Sequence, residues 1–110
     1  MIPVVFYETP AGREPVREWL RSLNKVDRSA IGADILSVQC GWPLGLPLCR
    51  SLGRDLWEVR STLPSKRIAR LIFAFDDGEL VILNGFIKKT QKTPQDEIDL
   101  AHKRLKEMTT

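Results

Sequence analysis

Residues 67–89 read RIARLIFAFDDGELVILNGFIKK, and the fold turns on how this stretch is divided. Asp77-Gly78 is a tight-turn signal between apolar segments, because the type I′ hairpin turn needs positive φ at both central positions. RIARLIFAF and ELVILNGFIKK are therefore predicted to be antiparallel strands over 67–75 and 79–89. The second is almost continuously apolar, as a strand buried on both faces would be. Gly85 inside it points to a bulge or a close backbone approach.

Upstream, LWEVRST (56–62) alternates and adds a third strand in hairpin order. Before it, residues 41–55 are punctuated by Gly41, Pro43, Gly45, Pro47 and Gly53 and read as an irregular crossover anchored by Trp42 and Leu44. Val16, Trp19, Leu20 and Leu23 follow Pro15 at helical spacing. A second helix is expected to start at Asp27 as N-cap, to present Ala30, Ile31, Ile35 and Val38, and to end at Gly41. IPVVFYE (2–8) reads as a first strand. At the other end, Thr93 as N-cap and Pro94 at N1 open a last helix with Ile98, Ala101, Leu105 and Met108 on its apolar stripe. Its early acidic and late basic residues suit the helix dipole. The order β-α-α-β-β-β-α, without repeat or linker over residues 1–110, predicts one α+β domain. A small antiparallel-rich sheet would carry a helix pair on one face, with a C-terminal helix.

Hydrophobic residues make up 43% and charged residues 28% of the chain, ordinary globular values. The N-terminus lacks the basic lead of a secretory signal, and no apolar run is long enough to span a bilayer, so a cytoplasmic protein without membrane contact is expected. Cys40 and Cys49 are then expected as thiols. With His102 they do not make the four-ligand set of a structural zinc site, so neither metal nor cofactor is expected.

The net charge of +3 is unevenly spread. Val59 to Phe75 holds four basic residues (Arg60, Lys66, Arg67, Arg70) and no acid, and Leu80 to Gln95 holds Lys88, Lys89 and Lys92, again with no acid. A polyanion-binding face leaves this footprint, and so does an ordinary solvated basic surface. There is no nucleotide-binding glycine pattern and no serine elbow, and His102 is expected as a surface residue of the last helix. Strand alternation places Glu58 and Arg60 on the face opposite Trp57 and Val59, and Arg70 with Ile68 and Ile72. Lys88 and Lys89 lie one on each face. Should the helices cover one side, Glu58, Arg60, Arg70 and one lysine would converge on the other. Such a cluster suits a phosphodiester, because arginine forks match phosphate oxygens and a lysine crowded by cations moves protons more readily. A plain Glu–Arg cross-strand pair stabilising the hairpin explains the same residues.

LWEVR, the arginine-led strand RLIF, the run LNGFIKKTQKTP and the helix containing DEIDLAHKR together resemble the RelE/ParE toxin superfamily, in its phage-derived, HigB-like branch. The likeness runs from about Gly53 to Arg104, with the N-terminal strand and helix pair in the expected order. It implies the toxin of a type II toxin–antitoxin module, a metal-independent endoribonuclease that cuts mRNA on the translating ribosome. It implies a helix-turn-helix antitoxin as partner, with operator DNA contacted only through that antitoxin. Carried over by motif, Glu58, Arg60, Arg70, Lys88 and Lys89 would be catalytic: the arginines neutralising phosphorane charge, the lysines moving protons, and Glu58 assisting. Lys66, Arg67, Lys92 and Phe86 would contact RNA. The tyrosine that some relatives carry near the C-terminus is missing, since the single tyrosine is Tyr7. The ribosome would then supply missing parts of the site. A gyrase inhibitor of ParE type on the same scaffold, or a non-toxic nucleic-acid-binding module, are the competing readings.

Overall fold

The structure of the protein, a computed structural model, describes residues 1–109. Its elements run β1 (Val4–Phe6), α1 (Pro15–Ser22), α2 (Lys25–Gly41), β2 (Cys49–Gly53), β3 (Leu56–Thr62), β4 (Ile68–Asp76), β5 (Glu79–Ile87) and α3 (Gln95–Thr109). One five-stranded sheet holds them in the order β1-β5-β4-β3-β2. The central hairpin forms as expected, with Asp77 at φ 49° and Gly78 at φ 78° in its turn. Among the described residues no helix is long and apolar enough to cross a membrane.

Two features change the expected architecture. The sheet is mixed, because β1 pairs parallel to β5 while every other pairing is antiparallel. It also gains β2 from the segment read as crossover. Gly53 pairs with Leu56, so Arg54 and Asp55 form a two-residue turn at φ 52° and 68°. Both take the left-handed conformation that such a hairpin requires, without the Asn-Gly or Asp-Gly that announces it. β2 itself, CRSLG, has no β-branched residue.

Two helix starts are also displaced. Asn24, not Asp27, caps α2: its side chain accepts the Asp27 N–H at 2.8 Å. Asp27 is freed to hold Ser65 in the β3–β4 turn. Thr93 likewise does not cap α3, whose first N–H groups, from Glu97 and Ile98, reach the Pro94 carbonyl at 3.1 and 3.3 Å. The Thr93 hydroxyl turns into the sheet instead.

The sheet is covered on both faces. Val16, Ile31, Val38, Val59, Leu71, Phe73 and Ile82 pack with α1 and α2 on one side. Tyr7, Leu56, Ile72, Ala74, Val81, Leu83 and Ala101 pack with α3 on the other. α3 is held by Arg104, which lies over the Tyr7 ring at 4.9 Å and donates to the Leu83 carbonyl at 2.8 Å. The Tyr7 hydroxyl bonds Glu107. Gly85 sits against Trp19, and a Cβ there would come within 2.8 Å of the indole. The close approach suggested by that glycine is therefore real.

A bulge in β5 lies beside it. Ile72 pairs with Asn84 but Phe73 pairs with Ile82, leaving Leu83 as an extra residue. Val81 and Leu83 face α3. Beyond the bulge the parity changes, so that Asn84 reaches the Glu97 carbonyl in α3 and Phe86 packs on that same side.

Candidate active site

Past the end of α3's cover, the same face of the sheet carries charge. Glu58 on β3 is paired with Arg50 on β2 and Ile72 on β4, and Arg60 stands opposite Arg70. Directly opposed side chains lie about 5 Å apart at Cβ, so two arginines there repel unless an anion lies between them. Glu58 serves one member of that pair: its Oε1 lies 3.6 Å from Arg70 Nε and 3.5 Å from Arg50.

Arg70 is only 3% exposed, Glu58 4% and Thr93 3%. They form a buried knot. Thr93 donates its hydroxyl to Glu58 Oε2 and accepts from Arg70 at 3.0 Å and from Arg50 at 3.2 Å. A hydroxyl has one proton and two lone pairs, so this one is fully used. Arg70 also donates to the Gln91 carbonyl at 2.8 Å. Residues 91 and 93 are thereby tied down onto β4. One donor stays orphaned: among the described residues, Arg70 Nε–H is buried with no acceptor in hydrogen-bonding range.

The groove above this knot has a volume of about 720 Å³ and runs around the end of β2. Arg50, Glu58, Arg60, Arg70 and Gln91 line one side; Leu46, Pro47 and Leu48 line another, with Asp34 and Thr62 completing it. Arg60 is exposed, and Arg50 keeps 45% of its side-chain surface in water. These two are the guanidiniums that an entering anion can reach.

The structure separates the two lysines. The Lys88 N–H donates to the Ile68 carbonyl at 2.7 Å, and the parity change at the bulge places its side chain with Arg60 and Arg70. Removal from water, then the guanidiniums of Arg60, Arg70 and Arg50, push the Lys88 ammonium below its ordinary pKa of 10.5; Glu58 opposes them. Lys89 is exposed.

The remaining positions named from sequence lie elsewhere. Arg67 pairs with Asp27 at 3.2 Å, towards α2, and Lys66 sits exposed in the β3–β4 turn at φ 69°. Lys92 is exposed in the loop before α3. Phe86 is half-buried and packs into the cluster under α3 that includes Ile98 and Leu105. Three contributors had not been singled out from sequence: Arg50, which lay in the presumed crossover; Thr93, read as a cap; and Asp34 in mid-helix. Only Thr93 carried a signal, as the hydroxyl of the Lys-Thr-Pro run.

A family model described as phage derived protein Gp49-like (DUF891) matches residues 18–106. No curated protein matches the chain.

Proposed function

Because the chain belongs to the Gp49-like family of phage-derived proteins, a family associated with RelE-like toxins, we propose that it is the toxin of a type II toxin–antitoxin module, cutting mRNA on the ribosome. The observation that carries this reading is the gathering of Arg50 and Arg60 in one groove, with Lys88 close enough to feel both, over a buried Glu58–Thr93–Arg70 knot that holds the lysine's loop.

The reaction such a site serves is attack of an RNA 2′-oxygen on the adjacent phosphorus. A P–O bond forms to the 2′-oxygen and the P–O bond to the 5′-oxygen breaks, leaving a 2′,3′-cyclic phosphate and a 5′-hydroxyl. One proton leaves the 2′-OH and one reaches the departing oxygen. Arg60 and Arg50 neutralise the charge that builds on the phosphorane oxygens. Lys88, with its pKa lowered, is the proton carrier and serves the departing 5′-oxygen. Glu58 and Arg70 are buried and already bonded to Thr93, so their part is to fix the loop and the electrostatics. The base that takes the 2′ proton is supplied by the ribosomal complex. A helix-turn-helix antitoxin is the partner this reading requires.

Expression of the chain in a bacterium with mapping of mRNA 5′ ends tests it. Discrete cuts in translated messages that disappear with Arg60→Ala are the expected result. Growth arrest with intact mRNA and broken DNA would overturn it in favour of gyrase inhibition.

A further inference from the structure

The cations account for only part of the groove. Part of its lining is apolar, formed by the consecutive residues Leu46, Pro47 and Leu48, and Leu46 is 75% exposed. Contiguous apolar surface beside cations in one groove offers a face on which something flat and apolar can lie. Phe86, the aromatic expected to contact RNA, is packed beneath α3.

Asp34 closes the same groove from α2. One of its oxygens, Oδ2, accepts the hydroxyl of Ser61, which is fully buried on β3. That bond fixes the carboxylate in orientation. Oδ1 makes no hydrogen bond among the described residues, and a carboxylate accepts at both oxygens. A phosphate has no use for Asp34, which would repel it. A ring bearing N–H groups does.

Phosphate-binding cations, an apolar wall and a fixed acceptor are the three elements of a nucleotide site, and the groove falls within the range of ordinary ligand pockets. We infer that the groove contains a nucleobase subsite: Leu46–Leu48 cover the face of the base and Asp34 accepts from its N–H edge, with guanine preferred. Guanine alone among the four bases presents two adjacent N–H donors, N1–H and the 2-amino group, to one carboxylate. Adenine and cytosine offer an amino group only, and uracil a single imino N–H. The subsite deepens the proposed nuclease reading and would set which residue flanks the cut, since a base held there fixes the phosphate presented to Arg60.

Binding of mononucleotides separates this inference from the nuclease reading. The isotope-labelled full chain is titrated at low salt with GMP, AMP, CMP and UMP, following amide shifts at residues 34, 46–48 and 61 by NMR. GMP is expected to bind at least about fivefold more tightly than the others, the effect of one additional hydrogen bond to a charged acceptor. Asp34→Asn should erase that preference, whereas Arg60→Ala should weaken all four nucleotides alike. Leu46→Ser, an exposed change that leaves the fold intact, should weaken all four and the purines most. Equal affinities in the native chain, or shifts confined to the arginine side, would overturn the subsite. In the mapped messages, cuts without a guanine bias that Asp34→Asn leaves unaltered overturn the subsite and leave the nuclease reading standing. GMP preference in a chain that cuts no message supports the subsite and overturns the nuclease.

Discussion

Asp27 and Glu58 are both buried carboxylates with an arginine and a hydroxyl beside them, and both tie a distant loop to the body of the fold. They are satisfied very differently. Asp27 receives four donors within 3.2 Å: Asn24 Nδ2, the Ser65 N–H, the Ser65 hydroxyl and Arg67. The Ser65 hydroxyl above all holds its pKa below the usual carboxylate value of 3.8. Glu58 receives one short bond from Thr93 and one long bond from Arg50 at 3.5 Å, while Arg70 stands off at 3.6 Å and its Nε–H finds no acceptor among the described residues. A saturated carboxylate is a clamp. An unsaturated one, among cations with spare donors, is a place where another anion is wanted.

The largest effect expected from this contrast is on chemistry alone. Arg60→Ala should lower mRNA cleavage by about a hundredfold or more, the usual consequence of losing one donor to a developing oxyanion. Its thermal midpoint should stay within about 2–4 °C of the native chain, because the side chain is exposed and makes no ion pair among the described residues. A folded Arg60→Ala chain that still cuts would remove the distinction between the two carboxylate sites.

Asp27→Ala should do the reverse, lowering the midpoint by roughly 10 °C while each folded molecule cuts at the native rate. The pH dependence has a definite sign. The folded pKa of Asp27 is depressed, so its contribution is complete above the unfolded value of 3.8 and is lost as pH falls through the lower folded value. Acid unfolding below about pH 4 should therefore be steeper in the native chain than in Asp27→Asn, as circular dichroism would record.

Thr93→Val keeps the shape of a buried side chain and deletes the hydroxyl that serves Glu58, Arg70 and Arg50. Stability should fall by about 1–2 kcal/mol and cleavage by about tenfold, with Thr93→Ser recovering both. Stability lost without any loss of cleavage would make the knot a second Asp27. The smallest effect is spectroscopic: a carbon-13 titration of the Lys88 side chain should show it releasing its proton below the ordinary lysine value of 10.5. Titration at the ordinary value would detach Lys88 from the arginines.

Much of this was legible from residue order. Alternation in LWEVR assigned Glu58 and Arg60 to one face, and Asp-Gly located the central turn. The rest was hidden for specific reasons. β2 ends in an Arg-Asp turn that forms a hairpin without the usual residues. Asp27 and Thr93 look like helix caps because capping uses the same short polar side chains that can instead bond across the fold. The choice between Lys88 and Lys89 rested on a bulge. An unbroken strand with Val81 and Leu83 facing α3 would have presented Lys89 to the arginines, and one extra residue at Leu83 presents Lys88. Gly85 hinted at a bulge or a close approach in ELVILNGFIKK, but not at Leu83 as the residue where the phase slips.

The parallel pairing of β1 with β5 has a kinetic side. Val4 meets Leu80 and Phe6 meets Ile82, contacts that close a loop spanning most of the chain. Closure over such a separation is slow and follows the local hairpins β2–β3, β3–β4 and β4–β5, which nucleate on short turns. The groove belongs to the other class of contact, since Arg50 on β2, Arg70 on β4 and Thr93 after β5 are brought together by consecutive hairpins and none of the groove's lining comes from β1. A growing chain can therefore assemble the site from its own local turns once residues 50 to 93 are free to pair, without waiting for the closure that seats β1.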